Sequence, residues 1–123
     1  MTKEQASQLV MQVDLQTIRD RLIESESFES TRADKAIRMY RKFLTLLVMH
    51  PDTIMSPPSL DADEAWHAHI LHTKKYMEDC NTLFGKYRHH SPMKSDNPVQ
   101  QNADENTRRL WKQHGMHRRE LFV

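Results

Sequence analysis

One cysteine, Cys80, and two glycines are all that this 123-residue chain has of either residue. A lone thiol excludes an intramolecular disulfide and any cysteine-rich zinc module. So few glycines exclude a glycine-rich phosphate loop, and both fall where a helix end or turn is expected. Excess charge is also lacking: 18 basic and 17 acidic residues leave a formal +1. That balance gives no electrostatic case for nucleic acid or an acidic membrane. The longest apolar run, Phe43–Met49, is far too short to span a bilayer. The N-terminal residues lack a basic-then-apolar leader, so the expectation is a soluble cytoplasmic protein. No strand-like alternation of useful length and no internal repeat is visible.

What remains is helical. One domain over 1–123 is expected, since a chain this size can bury a core without staples. Leu, Met, Arg, Glu and Gln favour helices. Residues 3–24 carry Met11, Leu15, Ile18 and Leu22 at helical spacing. Asp14 can cap a fresh start there, so 1–12 reads as a frayed or separate arm. Residues 31–50 predict the clearest helix, with Ala33, Ile37, Tyr40, Leu44, Leu47 and Val48 on its apolar face. Ser30 or Thr31 caps it, and Pro51 ends it. Residues 61–84 predict a second long helix. Asp61 and Glu64 resemble a capping box at its start, and Gly85 suits its left-handed end. A short Pro-rich loop between two long helices predicts an antiparallel pair. Residues 93–106 read as a mobile polar loop, and 107–122 as a short covering helix anchored by Leu110 and Trp111. The expected class is therefore all-α: a small bundle around the central pair.

Histidine is the residue in excess. There are eight, five of them between 67 and 90. On an unbroken helix at about 100° per residue, Trp66, Ile70, Thr73, Met77, Cys80 and Phe84 form one core stripe. Asp63 and His67 flank it on one side. His69 and Tyr76 flank it on the other, with His72 nearer solvent. His67 and His69 are about 200° apart, so they do not serve one ion together. The usable helical ligand spacings are i,i+3 and i,i+4, which Asp63–His67 and His69–His72 satisfy. His50 should come near Asp63 and His67 across an antiparallel pair. His89 and His90 follow the far end of the helix. His67 lies ~25 Å from Phe84 along a straight axis, and six extended residues return ~20 Å. His90 then reaches His69 or His72 easily, and His67 only if the segment runs straight back or the helix bends. The carboxylate–imidazole pair favours the His67 side and the reach favours the His69 side.

Plainer readings weigh against each residue alone. A histidine beside a core stripe is commonly a hydrogen-bonded boundary residue. Cys80 suits a small buried apolar role, and Trp66 a core anchor whose N–H needs a partner. The concentration of histidines is what carries the metal reading. The candidate ligands are Asp63, His67, His69, His89 and His90, for a divalent transition ion such as Zn, Fe or Cu. No organic cofactor is indicated. If the site is catalytic, His69 and Tyr76 are the candidates to move protons. A metal-dependent enzyme or an accessory protein to one is the first functional reading. The alternative is a non-catalytic interaction module in which His, Trp and Tyr form a structural polar network and the surface binds a protein partner. The basic stretch "NTRRLWKQHGMHRRELF" is balanced by its glutamate and by the overall charge, which argues against nucleic acid. Nothing identifies a small-molecule substrate.

The stretch "DADEAWHAHILHTKKYMEDCNTLFGKYRHHSP" resembles the glycine-rich domain-containing-protein-like family. The likeness falls on Asp63, Trp66, His67, His69, Leu71, Tyr76, Cys80, Phe84, Gly85, His89, His90 and Pro92. "YRKFL" at 40–44 and "TRRLW" at 107–111 resemble further elements of that family, so the likeness covers about 31–122. It implies the small bacterial or phage-type form of the unit, without a glycine-rich tail. It implies which residues matter rather than a reaction, since no settled activity attaches to the unit. His72 falls outside the pattern.

Overall fold

The computed structural model describes residues 1–90 and 97–116. Six helices make up its regular structure: α1 Lys3–Met11, α2 Gln16–Glu24, α3 Ser30–Met49, α4 Leu60–Leu71, α5 Thr73–Phe84 and α6 Pro98–Gln113. Among the described residues there is no strand, and no helix is long and apolar enough to cross a membrane. The all-α class is as expected.

The N-terminal segment is two helices. Thr2 and Gln5 close a capping box on α1, and the Asp14 carboxylate accepts from Gln16 N–H at 2.9 Å where α2 begins. Ala6 and Val10 bury the inner face of α1, whereas Met11 is 64 % exposed, so Met11 is corrected from core to surface. Leu15, Ile18 and Leu22 are fully buried as expected, each worth about 1.5–3 kcal/mol of transfer free energy. α1 lies on α3, and Arg41 reaches across to donate to the Val10 carbonyl at 2.8 Å.

α3 supplies the spine, with Ala33, Ala36, Met39, Tyr40, Phe43, Leu44, Leu46 and Leu47 buried. It starts at Ser30, one residue before expected, and its N-cap is Glu29 in place of the expected Ser30 or Thr31; His50 closes it ahead of Pro51. α4 packs on both α2 and α3. Arg32 grips Asp61 through two hydrogen bonds, and Tyr40 meets His69 at 2.7 Å; both pairs are 29 residues apart. The Phe43 and Trp66 rings also meet edge-on, with 5.3 Å between centroids. The pairing of these two helices is as expected.

His50 does not join Asp63 and His67: its Nε2 sits 3.0 Å from His114 Nε2 at the end of α6. α6 starts at Pro98, with Asn97 capping Val99 N–H, so the expectation of a loop through 93–106 is corrected for 98–106. Residues 93–96 of that expectation, and 117–122 of the expected final helix, lie outside the described residues. α6 is tied to the 50–59 loop through buried Thr107, whose hydroxyl accepts from Ser56 N–H at 3.0 Å and lies 2.8 Å from the Ser56 carbonyl. Leu110 and Trp111 are buried as anchors.

The main departure is at 72. The predicted single helix 61–84 is two, broken at His72 with φ −87° and ψ 69°. His72 N–H bonds the His69 carbonyl, and its Nδ1 lies 2.8 Å from the Ala68 carbonyl. Two of the carbonyls in the last turn of α4 are therefore satisfied without a continuing helix. The start is also corrected: Ser59, not Asp61, is the N-cap, accepting from Ala62 N–H at 3.1 Å. With the phase reset at the break, the core stripe changes. Trp66 and Cys80 are buried as predicted, but Thr73 is exposed and Met77 is 55 % exposed, while Ala62, Ala65, Ala68, His69, Tyr76 and Leu83 face inward. Gly85, at φ 71°, ends α5 in the expected left-handed conformation.

Candidate metal centre

The elbow between α4 and α5 folds the chain after Gly85 back toward the start of α4. His90 thereby reaches Asp63, its Nε2 lying 2.7 Å from Asp63 Oδ1. The His90 ring stacks on Trp66 at 4.1 Å with 9° between planes, and its centroid is 5.1 Å from that of His67. One ligand atom each from Asp63, His67 and His90 lies within 4.8 Å of the others. Two come from one helix at i,i+4, and the third from the returning loop. His67 is exposed, Asp63 is partly covered and His90 is nearly buried. The conflict between the two flanks is resolved by the bend, and the His67 side meets His90.

Two buried aromatic groups hold that loop in place. Trp66 Nε1 donates to Tyr76 Oη at 2.9 Å, and the Tyr76 hydroxyl donates to the Arg88 carbonyl. Each polar atom inside is thus paired, as burial requires. Burial pushes the Tyr76 phenol well above its ordinary value, so it stays protonated and able to donate. Cys80 lies against the same hydroxyl and the Arg88 backbone; burial pushes its thiol up, which suits a filler and not a nucleophile. Trp66 therefore does two jobs: one edge anchors the clasp and one face supports a candidate ligand.

His69 is elsewhere. It is 1 % exposed, with Nδ1 2.7 Å from Tyr40 Oη and Nε2 2.7 Å from Asp79 Oδ2. A carboxylate only accepts, so Nε2 carries the proton and Nδ1 accepts from Tyr40. Desolvation pushes the His69 pKa down despite Asp79, so the ring is neutral. Lys75 balances Asp79 at 3.0 Å. Both ring nitrogens are spent, so His69 joins α3, α4 and α5 and is corrected out of the cluster. His89 is exposed and packs edge-on against Tyr87, 4.8 Å between centroids; it too is outside the cluster. Tyr40, Asp79 and Arg88 were missed in sequence. Tyr40 and Asp79 meet His69 at separations that no helical period relates, and Arg88 contributes a backbone carbonyl, which leaves no side-chain signature.

Residues 7–120 match the UCP032817-like family. The chain belongs to that family. The UCP032817-like chain is also 34 % identical, over 65 residues, to "Glycine-rich domain-containing protein 1" of Arabidopsis thaliana. That match covers 50 % of this chain but only 8 % of the plant protein's length. No solved structure matches the UCP032817-like chain.

Proposed function

We propose that this protein binds one divalent transition-metal ion through Asp63, His67 and His90, and that it is a metal-dependent enzyme or an accessory protein to one. The convergence of two imidazoles and a carboxylate within 4.8 Å carries the reading. Nitrogen and oxygen donors in that ratio suit Zn²⁺, Fe²⁺ or Cu²⁺, and three protein ligands leave positions for water or substrate. Zn–N bonds of about 2.0–2.1 Å require donors somewhat closer together than 4.8 Å. His67 is exposed and free to swing in, while His90 is fixed by Trp66 and the loop clasp. An ion there would displace the His90–Asp63 hydrogen bond and polarise a bound water.

A second reading has one specific observation behind it. The His90–Asp63 and Trp66–Tyr76–Arg88 contacts are complete without an ion. They suit an interaction module in which the cluster only stiffens the loop and a protein partner binds the surface. Elemental analysis and chelation separate the two. The metal reading expects about one ion per chain, a melting temperature that falls on chelation, and loss of the ion in His67→Ala with the metal-free fold unchanged. Substoichiometric metal with a melting temperature indifferent to chelator overturns it.

A further inference from the structure

We propose that the cleft beside Asp63, Trp66 and His90 binds a small organic carboxylate, with Arg88 holding the carboxyl group. This deepens the metal reading: the ligand's far end would then lie toward the ion. The cleft measures about 840 Å³ and is shared by the 51–60 loop, the start of α4, residues 86–90 and one face of α6. That is within the range of about 300–1,000 Å³ found for small-molecule sites. Its walls are apolar where an organic body would rest: Ile54 and Leu60, respectively 51 % and 76 % exposed, together with Trp66 and Tyr87.

Arg88 is the unspent group. It is half-buried, and burial lowers its pKa, yet no carboxylate pairs with it among the described residues. Among the described residues its guanidinium makes one hydrogen bond, and a long one, Nη1 to the Pro51 carbonyl at 3.3 Å, while its Cζ lies 5.6 Å from the Phe84 ring centroid. A guanidinium has five N–H donors and remains charged in proteins. Arg88 is among the residues lining the cleft, and none of its side-chain nitrogens is a fully buried atom lacking a partner. A partly desolvated cation without a counter-ion attracts one from outside.

The acids around it set the charge of the guest. Asp104 Oδ1 is held by Ser56 at 2.6 Å and Gln100 at 2.8 Å, Asp63 is held by His90, and Asp52 is exposed. Three acids against Arg88 and Lys86 disfavour a dianion such as phosphate. One planar guanidinium matches one planar carboxylate in a two-bond fork.

The test titrates benzoate, its neutral isostere benzamide and inorganic phosphate into the full chain, metal-free and Co²⁺-loaded, followed by NMR. Benzoate is expected to bind at least about tenfold tighter than benzamide, and phosphate more weakly than benzoate. Arg88→Met should erase the preference for charge and Arg88→Lys retain part of it, with Co²⁺ affinity unchanged in both. Undetectable benzoate binding, equal affinity for benzamide, tighter phosphate, or a preference that survives Arg88→Met overturns the proposal. Failure of Co²⁺ to bind overturns the metal reading instead, and the metal-free titration still judges this one.

Discussion

Tyr76→Phe removes one oxygen atom and leaves the ring. That oxygen accepts from Trp66 Nε1 at 2.9 Å and donates to the Arg88 carbonyl, so its loss strands a donor and an acceptor in a buried site. Each stranded group costs about 1–3 kcal/mol. Partial relaxation, with water entering beside the loop, brings the sum to about 2–4 kcal/mol. At roughly 4 °C per kcal/mol for a domain of this size, the melting temperature should fall by about 8–16 °C. The loop 86–90 loses its tie to α4, so His90 is no longer pre-positioned. If the metal reading holds, metal affinity should fall by about tenfold or more, as outer-sphere substitutions typically do. Thermal unfolding followed by circular dichroism gives the first number and competitive chelator titration the second. A melting temperature within about 2 °C of the parent would refute the clasp, because a buried hydroxyl bridging two groups cannot be removed at so little cost.

Thr107→Val keeps shape and removes the hydroxyl that pairs with both backbone groups of Ser56. It should destabilise by about 1–3 kcal/mol in denaturant titration and speed proteolysis in the 50–59 loop. The His50–His114 contact should make the fold acid-sensitive. Burial, then His114 and Arg109, push the His50 pKa below its ordinary 6.5. Its contribution is therefore full above about pH 6.5 and lost as pH falls through the lower folded value. His50→Gln should flatten the dependence of melting temperature on pH below 6.5; an unchanged slope would exclude this pair as the source.

Sequence reading reached the parts of the fold that local chemistry dictates. Gly85 in a left-handed turn, Asp14 at a helix start, Pro51 after α3 and the buried faces of α2 and α3 each follow from a residue's own backbone preference or from a simple period. The candidate ligands Asp63, His67 and His90 were legible as residue types. Their grouping was not, because it turns on one non-helical residue, His72, inside an otherwise continuous helical pattern. Nothing in "HILHTKKY" breaks a helix by propensity; the break is held by long-range partners of His69 and Tyr76, which only tertiary structure supplies. The helix over 98–106 was signalled by Asn97 followed by Pro98, a cap followed by a first-turn proline. The polarity of the stretch outweighed that signal because α6 buries only Ala103, Thr107, Leu110 and Trp111.

The elbow at His72 has a kinetic consequence. It lets Trp66 meet Tyr76 and His69 meet Asp79 across only 10 residues of chain each, whereas Tyr40 meets His69 across 29 and Thr107 meets Ser56 across 51. The cost of closing a loop grows slowly with its length, but contacts among near neighbours form first. The α4–α5 hairpin and its returning tail can therefore search for their clustered arrangement as one segment, early, with α3 arriving as the surface that fixes it. The contacts between α6 and the 50–59 loop enclose the longer span of chain and belong to a later stage of collapse.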